Sequence, residues 1–150
     1  MKLLLCLMAF GCATGYAQTE KDSIAIVRLL EKESATWRSG DAKAHADCWA
    51  VKPYSRILIS IGDSTVLDIP PHFMTTPPEG MMGKGGSSAN TAYKMSIYGD
   101  NAWITHNEES ISKEGKKTYS IELRILERIS GAWKLVGQSI HVYKPERSQK

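Results

Sequence analysis

Mainly apolar side chains in the first third of the chain recur at intervals of three and four residues. This spacing places side chains on one face of an α-helix, and five residues follow it: Ile26, Val27, Leu30, Ser34 and Trp37. Gly40 comes next as a left-handed helix stop. Asp41 can accept hydrogen bonds from the free amides of a second, shorter helix. That helix is predicted to end before Pro53, because the residue preceding a proline disfavours helical backbone.

After position 54 the pattern changes to the short, β-rich runs that are typical of a sheet. Residues 57–61 predict a strand, and residues 66–69 predict a second short strand or the approach to one. A long irregular stretch, rich in Pro and Gly, is expected from position 70 to 90. Four later runs, separated by Gly-containing turns, predict an antiparallel meander: residues 93–98, 102–110, 118–129 and 133–143. Helices followed by strands predict an α+β fold with segregated helices.

The first 17 residues have the three-part organisation of a secretory signal peptide. Lys2 supplies the positive charge, residues 3–10 form an apolar run, and the small residues at 15 and 17 favour cleavage after Ala17. An uncleaved anchor is one alternative, but the run falls short of the roughly 20 residues that span a bilayer. A lipid anchor on Cys12 is another, against which the large Phe10 argues. We predict a signal peptide at 1–17, a single domain at 18–150, and a periplasmic or secreted protein.

Charged residues are nearly balanced in number and are scattered along the chain. The sequence has 19 basic and 16 acidic residues, which gives a formal net charge of +3. Nucleic acids and membrane surfaces require a concentrated basic face. We therefore predict no nucleic-acid partner, and no membrane partner after signal cleavage. The short charged run at positions 31–33 is interpreted as a solvated helix face.

Sequence motifs for disulfides, nucleotides and metals are weak or missing. Cleavage after Ala17 removes Cys6 and Cys12, so no disulfide can form within the remaining chain. We expect the third cysteine, Cys48, to be buried and unreactive. The Gly-rich segment 83–88 lacks the Lys–Ser/Thr order of a phosphate-binding loop. The four histidines do not have the spacing of zinc ligands. No cofactor and no metal site are predicted.

Three turn segments carry a resemblance to a known superfamily. They are the helix stop at 37–41, the turn into a strand at 99–103, and the turn at 131–136 that is followed by Ser139 and His141. These resemble the nuclear transport factor 2-like superfamily, especially its small exported SnoaL-like members. The resemblance implies a curved sheet wrapped round helices into a cone, a pocket at the open end, and a homodimer paired through the sheet. It does not imply one reaction, since the superfamily includes both enzymes and scaffolding domains.

The strongest candidates for chemistry are His106 and Glu108. They lie two residues apart on a predicted strand, so their side chains share a face roughly 7 Å apart. The carboxylate could orient the imidazole as a general base. The alternative is a polar edge where the strand leaves the core.

Ser139 and His141 also share a face near the end of the last strand. Strand alternation predicts that Trp133 and Leu135 lie on that same face. A face that is apolar at one end and polar at the other suits a pocket floor with a reactive rim, so His141 is a third catalytic candidate. A Ser–His pair alone does not define a hydrolytic triad.

Glu122 and Arg124 form the remaining polar pair in the meander. They could be an ion pair on the outer, dimer-facing side of the sheet, or Arg124 could lie in the cavity and hold a ligand carboxylate. Among the aromatic residues, Tyr54, Trp103 and Tyr119 are expected to line the pocket.

The sequence favours three functions. The first is an exported domain that binds an unknown small molecule in a cone pocket. The second is a cofactor-free lyase or isomerase, with His106 or His141 as base and Glu108 or Glu122 orienting it. The third is a noncatalytic module that binds a partner. The catalytic residues of the known isomerase and dehydratase of the superfamily are not recognisable in this sequence.

Overall fold

The computed structural model describes the backbone of residues 9–62 and 65–145, and side chains from residue 19 onward within those ranges. Two helices and a six-stranded sheet make up the fold: α1 (Ala9–Ser39), α2 (Ala42–Ala46), β1 (Ile57–Ile61), β2 (Thr65–Ile69), β3 (Gly86–Tyr98), β4 (Asn101–Ser112), β5 (Lys117–Ile129) and β6 (Ala132–Tyr143). A short 3₁₀-helix spans Pro71–Met74. The predicted signal peptide falls partly outside the described residues, and its cleavage stays a prediction. None of the described helices combines the length and apolarity needed to cross a bilayer.

All six strands belong to one sheet in the order β2-β1-β6-β5-β4-β3. Strands β3 to β6 are joined by tight turns and pair antiparallel, as does β1 with β2. Strand β1 joins the meander by pairing parallel to β6. The predicted α+β class and the strand meander are confirmed.

The junction between the helices forms as the sequence predicts. Gly40 has a φ of 78°, and the amide of Asp41 bonds the carbonyl of Thr36 at 3.0 Å. The Asp41 carboxylate then caps α2 by accepting a hydrogen bond of 3.0 Å from the amide of Ala44. The helical face of α1 packs on the sheet through the fully buried Ile26 and Leu30. Cys48 is buried in the same core, and burial raises the pKa of its thiol to about 11.

Strand β3 begins earlier than the sequence suggests. The irregular stretch was expected to run to position 90, whereas β3 starts at Gly86 and pairs with the end of β4. A Cβ atom at position 86 would lie 2.1 Å from the carbonyl oxygen of Ile111, and φ there is 114°. The Gly-rich composition therefore serves a close approach of two strands rather than a loop, and this part of the prediction is wrong.

The sheet has an inner face toward the helices and an outer face away from them. Even-numbered residues of β4 and β5 point inward, including His106, Glu108, Glu122 and Arg124, which are all buried. Their odd-numbered neighbours, such as Trp103, point outward. The alternative that places Glu122 and Arg124 on the outer face is therefore wrong.

A β-bulge in β6 shifts the alternation of that strand by one residue. Ile125 pairs with Gly137, but the next residue, Leu126, pairs with Leu135, so Val136 is the extra residue. Beyond the bulge, Ser139 and His141 therefore lie on the outer face. The prediction that they share a face with Leu135 is wrong, because one inserted residue reverses the facing of all that follow.

Candidate functional site

A cavity of about 110 Å³ lies between α1, the 3₁₀-helix and the inner face of the sheet. One part of its wall is apolar and is formed by Trp37, Ile59, Ile69, Met74, Met81 and Ile140. The other part is polar and contains Glu33, Ser34, Arg38, Glu108, Glu122, Arg124 and Gln138. A mainly apolar concave surface with a few convergent polar groups is the usual composition of a ligand site.

Arg124 joins two carboxylates in the polar wall. Its guanidinium donates to Glu122, contacts Glu33 at 3.4 Å, and also donates to the amide oxygen of Gln138. Glu122 receives a second hydrogen bond of 2.7 Å from Ser120. Since its amino groups are engaged by three protein side chains, Arg124 is not available as a clamp for a ligand carboxylate.

These contacts set the protonation of the buried pair. Burial acts to raise the pKa of Glu33, but Arg124 and the hydrogen bond with His45 outweigh it and lower the pKa to about 2. Burial likewise opposes the charge of Arg124, yet Glu122 and Glu33 raise its pKa. Both groups are therefore charged at neutral pH.

His45 lies directly behind Glu33 and is fully buried. Its Nε2 is 3.0 Å from the Glu33 carboxylate, and its Nδ1 is 2.9 Å from the carbonyl oxygen of Met74. Both partners are hydrogen-bond acceptors, so the ring of His45 connects the Glu33 carboxylate on α1 with the end of the 3₁₀-helix. The rings of Trp37 and Trp49 lie near it, with centroids 5.0 and 6.2 Å away.

Glu108 is the second acidic centre of the wall. Ser34 donates to one of its oxygens at 2.7 Å, and Arg38 donates to the other. Burial raises the pKa of Glu108, and the nearby charge of Glu122 adds to the increase, while Arg38 opposes it. The side chain of Arg38 is 23% exposed and also borders a surface depression between α1 and the start of β3.

His106 is buried next to the cavity without lining it. Its Nε2 lies 3.7 Å from Glu122 and has no hydrogen-bond partner among the described residues. The ring of Tyr93 lies against it, with centroids 5.5 Å apart. Burial and the charge of Arg124 lower the pKa of His106, which favours the neutral imidazole.

The structure brings together three of the predicted site residues. Glu108, Glu122 and Arg124 line the cavity, and His106 lies beside Glu122. The expected His106–Glu108 pair does not form, because Glu108 bonds to Ser34 and Arg38 of α1 instead.

The other five predicted site residues lie outside the cavity. Ser139 and His141 hydrogen-bond to each other at 3.1 Å on the outer face. Trp103, half exposed, and Tyr119 point to that face as well, because strand alternation puts them opposite the inward-facing residues. Tyr54 is 65% exposed and donates a hydrogen bond to Glu127. The prediction that these five residues line the pocket or take part in catalysis is therefore wrong, because they lie outside the cavity.

Sequence reasoning missed the helical half of the site. Glu33 belongs to the charged run that the sequence predicts to be a solvated helix face, and His45 is not among the predicted site residues. The spacing of Ser34 and Trp37 on the core-facing side of α1 was the available signal, since Glu33 and Arg38 adjoin that face.

The Gly-rich segment after the 3₁₀-helix fixes the end of α1 over the cavity. The amide of Gly83 donates to the carbonyl of Trp37 at 3.0 Å, and that of Gly85 donates to the carbonyl of Arg38 at 2.7 Å. These bonds satisfy helix-terminal carbonyls and place Met81 in the cavity wall. The segment is thus tied to the helix that carries four wall residues, Glu33, Ser34, Trp37 and Arg38.

Among the described residues, no group of three His, Cys, Asp or Glu side chains is arranged to hold a metal ion.

Comparison with solved structures identifies the architecture. An NTF2-like protein with a cystatin-like fold from Novosphingobium aromaticivorans matches with a TM-score of 0.65 and 15% identity over 99% of this chain and 95% of its own. An NTF2-like protein of unknown function from Shewanella baltica matches with a TM-score of 0.63 and 14% identity, over 83% and 96% of the two chains. The chain has the nuclear transport factor 2-like fold.

A third structural match with the nuclear transport factor 2-like fold, from Streptomyces avermitilis, is described as a candidate dehydratase. It has a TM-score of 0.64 and 14% identity over 84% of this chain and 99% of its own. No protein-family model matches the sequence, and neither does any curated protein. At identities this low, the matches support a shared fold and do not extend to a shared function.

Proposed function

We propose that this protein binds a compact small molecule in the cavity between α1 and the inner face. The observation that carries the proposal is a wall with two distinct parts, one apolar and one built from buried charged residues that are held by mutual contacts. Burying charges beside a cavity is costly, and ionisable groups with perturbed pKa values cluster at functional sites.

The volume of the cavity limits the size of the ligand. A dry cavity of about 150 Å³ holds a benzene molecule, so about 110 Å³ accommodates a slightly smaller body. A steroid or a nucleotide would not fit without displacing α1 or the Gly-rich segment.

Ligand-observed NMR with a library of compact monocyclic and branched aliphatic compounds tests this proposal. We expect a subset of the library to bind at millimolar or lower concentration, since ligands this small have few atoms with which to gain affinity. Replacing Ile140, which lines the cavity, with Trp should abolish binding by filling the space. The matched control is Ile125→Trp on the outer face, where the same change leaves the cavity intact. Binding that survives Ile140→Trp, or a complete lack of binding, would contradict the proposal.

A cofactor-free lyase or isomerase is the second candidate. The raised pKa of Glu108 favours it, because a carboxyl group poised nearer to neutrality can both donate and accept a proton. The description of the Streptomyces avermitilis match as a candidate dehydratase is compatible with such chemistry. Turnover with a bell-shaped pH profile that Glu108→Gln abolishes and His141→Ala retains would support it.

Two further proposals concern assembly and location. We infer that two copies pair through the outer face, where Trp103, Ile121 and Ile125 are about half exposed. We also propose that residues 1–17 direct export to the periplasm or the medium. N-terminal sequencing of protein recovered from a bacterial host tests export, with Gln18 as the expected first residue.

A further inference from the structure

The apolar wall of the cavity continues beyond the cavity along the inner face of the sheet. Ile59 and Ile140 line the cavity and pair across β1 and β6, and Leu67 of β2 pairs with Ile59 from the other side. Two positions further along the strands, Ile61 pairs with Val142. Because alternate residues of a strand point to the same face, these five side chains form one contiguous surface, which we call the inner-face strip.

The outer end of the strip is not covered by the helices. Ile61 is 47% exposed and Leu67 is 39% exposed, although both lie on the face that the helices cover elsewhere. Helix α1 packs mainly on β3, which is at the opposite edge of the sheet from β2, and on α2. Contiguous exposed apolar residues that adjoin a pocket are typical of a ligand-binding groove.

The size and composition of the strip argue against a protein partner. A stable protein interface covers about 800 Å² on each side, or roughly 20–30 residues, and is enriched in aromatic residues and Arg. The strip has five residues, and all of them are Ile, Leu or Val. A narrow aliphatic surface of this kind fits a hydrocarbon chain better than it fits a second protein.

The strip has a polar border on one side. Ser120 of β5 pairs with Val142, and Thr118 lies two residues before Ser120 on the same face, so the inner face changes from aliphatic to hydroxylated side chains at β5. A hydrocarbon chain gains free energy only where it covers apolar surface. The chain is therefore confined to the part of the inner face that β1, β2 and β6 form.

We propose that the ligand carries an unbranched alkyl chain, with its compact end in the cavity and its chain along the inner-face strip. Medium-chain ketones, alcohols and acyl esters belong to this class. This inference rests on the proposed function and adds to it the part of the ligand that lies outside the cavity.

A homologous series of linear methyl ketones tests the inference. The probes are 2-butanone, 2-hexanone and 2-octanone, and chemical-shift titration of the native protein measures the affinity of each. Burying a whole methylene group raises affinity about fourfold, and a chain on an open surface is covered on one side, so we expect about a twofold increase for each added methylene. Ile140→Trp, which fills the cavity, should abolish binding of all three.

A pair of matched variants on β2 separates the strip from nonspecific partitioning. Leu67→Asn should remove the increase with chain length and leave the affinity for 2-butanone unchanged. Val66→Asn is the control, because Val66 is exposed on the other face of the same strand and its variant should keep the native increase. Ile61→Asn, at the outer end of the strip, is a second variant if Leu67→Asn does not fold, and thermal melts verify folding.

The outcomes distinguish this inference from the proposed function. An affinity that does not rise with chain length, or that rises equally in Leu67→Asn and the native protein, overturns the inference and leaves binding of 2-butanone in the cavity in place. If Leu67→Asn instead converts a dimer into a monomer in light scattering and keeps the native increase, the strip belongs to a second copy and the inference is wrong. Failure of all three ketones and of the wider library overturns both.

Discussion

Glu33 shows how one buried side chain makes stability depend on pH. Its pKa falls from 4.5 to about 2 on folding, because Arg124 and His45 stabilise the carboxylate. A lowered pKa stabilises the fold at pH values above 4.5, and this stabilisation is lost as the pH falls toward 2. Since each unit of pKa shift is worth about 1.4 kcal/mol, the contribution at pH 7 is about 3 kcal/mol.

Glu33→Gln is therefore expected to lower the free energy of unfolding by about 3 kcal/mol at pH 7. The difference from the native protein should shrink steadily between pH 4.5 and pH 2. Urea titrations at several pH values measure it. Glu31→Gln is the matched control, because Glu31 lies exposed on the same helix and should cost little. A pH-independent loss in Glu33→Gln would show that packing, not charge, is the cause.

At the level of elements, the sequence predicts the positions of the strands well. It predicts the face of the sheet on which a side chain lies only as far as the first β-bulge. The sequence leaves Glu122 and Arg124 open between the outer face and the cavity, and the uninterrupted alternation of β4 and β5 puts both of them on the inner face with Glu108. Ser139 and His141 are misplaced because strand alternation was applied across the bulge at Val136, for which the isolated Gly137 within the strand is the one local sign. A bulge depends on pairing with β5, which lies outside any short window.

The Gly-rich segment yields a prediction at this scale. A methyl group at position 83 would lie 2.5 Å from the carbonyl oxygen of Arg38, so Gly83→Ala must push the segment away from α1. We expect the free energy of unfolding to fall by at least about 1 kcal/mol. We also expect weaker binding of any ligand in the cavity, because the displacement shifts Met81 and Arg38, which both line its wall.

The control for Gly83→Ala is Gly137→Ala in β6. Its added methyl group meets the nearest atom, the carbonyl oxygen of Arg56, at 3.4 Å, which is an ordinary contact. Thermal unfolding and probe titration of both variants provide the measurement. If Gly83→Ala and Gly137→Ala had the same melting temperature and the same ligand affinity, the contact of the Gly-rich segment with α1 would not be needed for the cavity.

For the whole molecule, the resemblance of three turns to the nuclear transport factor 2-like superfamily led to the observed fold, whereas the site required tertiary contacts. Turn residues encode local backbone geometry, which a sequence displays directly. Glu33 and His45 become site residues only through Arg124 and Met74, which lie far along the chain. Helix periodicity shows only that Glu33 adjoins the core-facing side of α1, so these contacts could not be deduced from it.

The proposed dimer makes the last prediction, and the arrangement of the outer face supports it. Trp103 and Ile125 are directly paired across β4 and β5, and both are about half exposed. Contiguous apolar residues of this kind on a central part of a sheet indicate an interaction surface. Since this face is opposite to the cavity, pairing through it would leave the ligand site open.

Ile125→Lys should therefore convert a dimer into a monomer, because it places a charge in the middle of the apolar face. Val66→Lys is the control, since Val66 is exposed on the edge strand β2. Light scattering coupled to size-exclusion chromatography gives the mass of each. If the native protein has the mass of one chain, the dimer proposal is wrong. The outer face would then be a candidate binding surface for a different protein. A dimer that persists in Ile125→Lys would place the interface elsewhere.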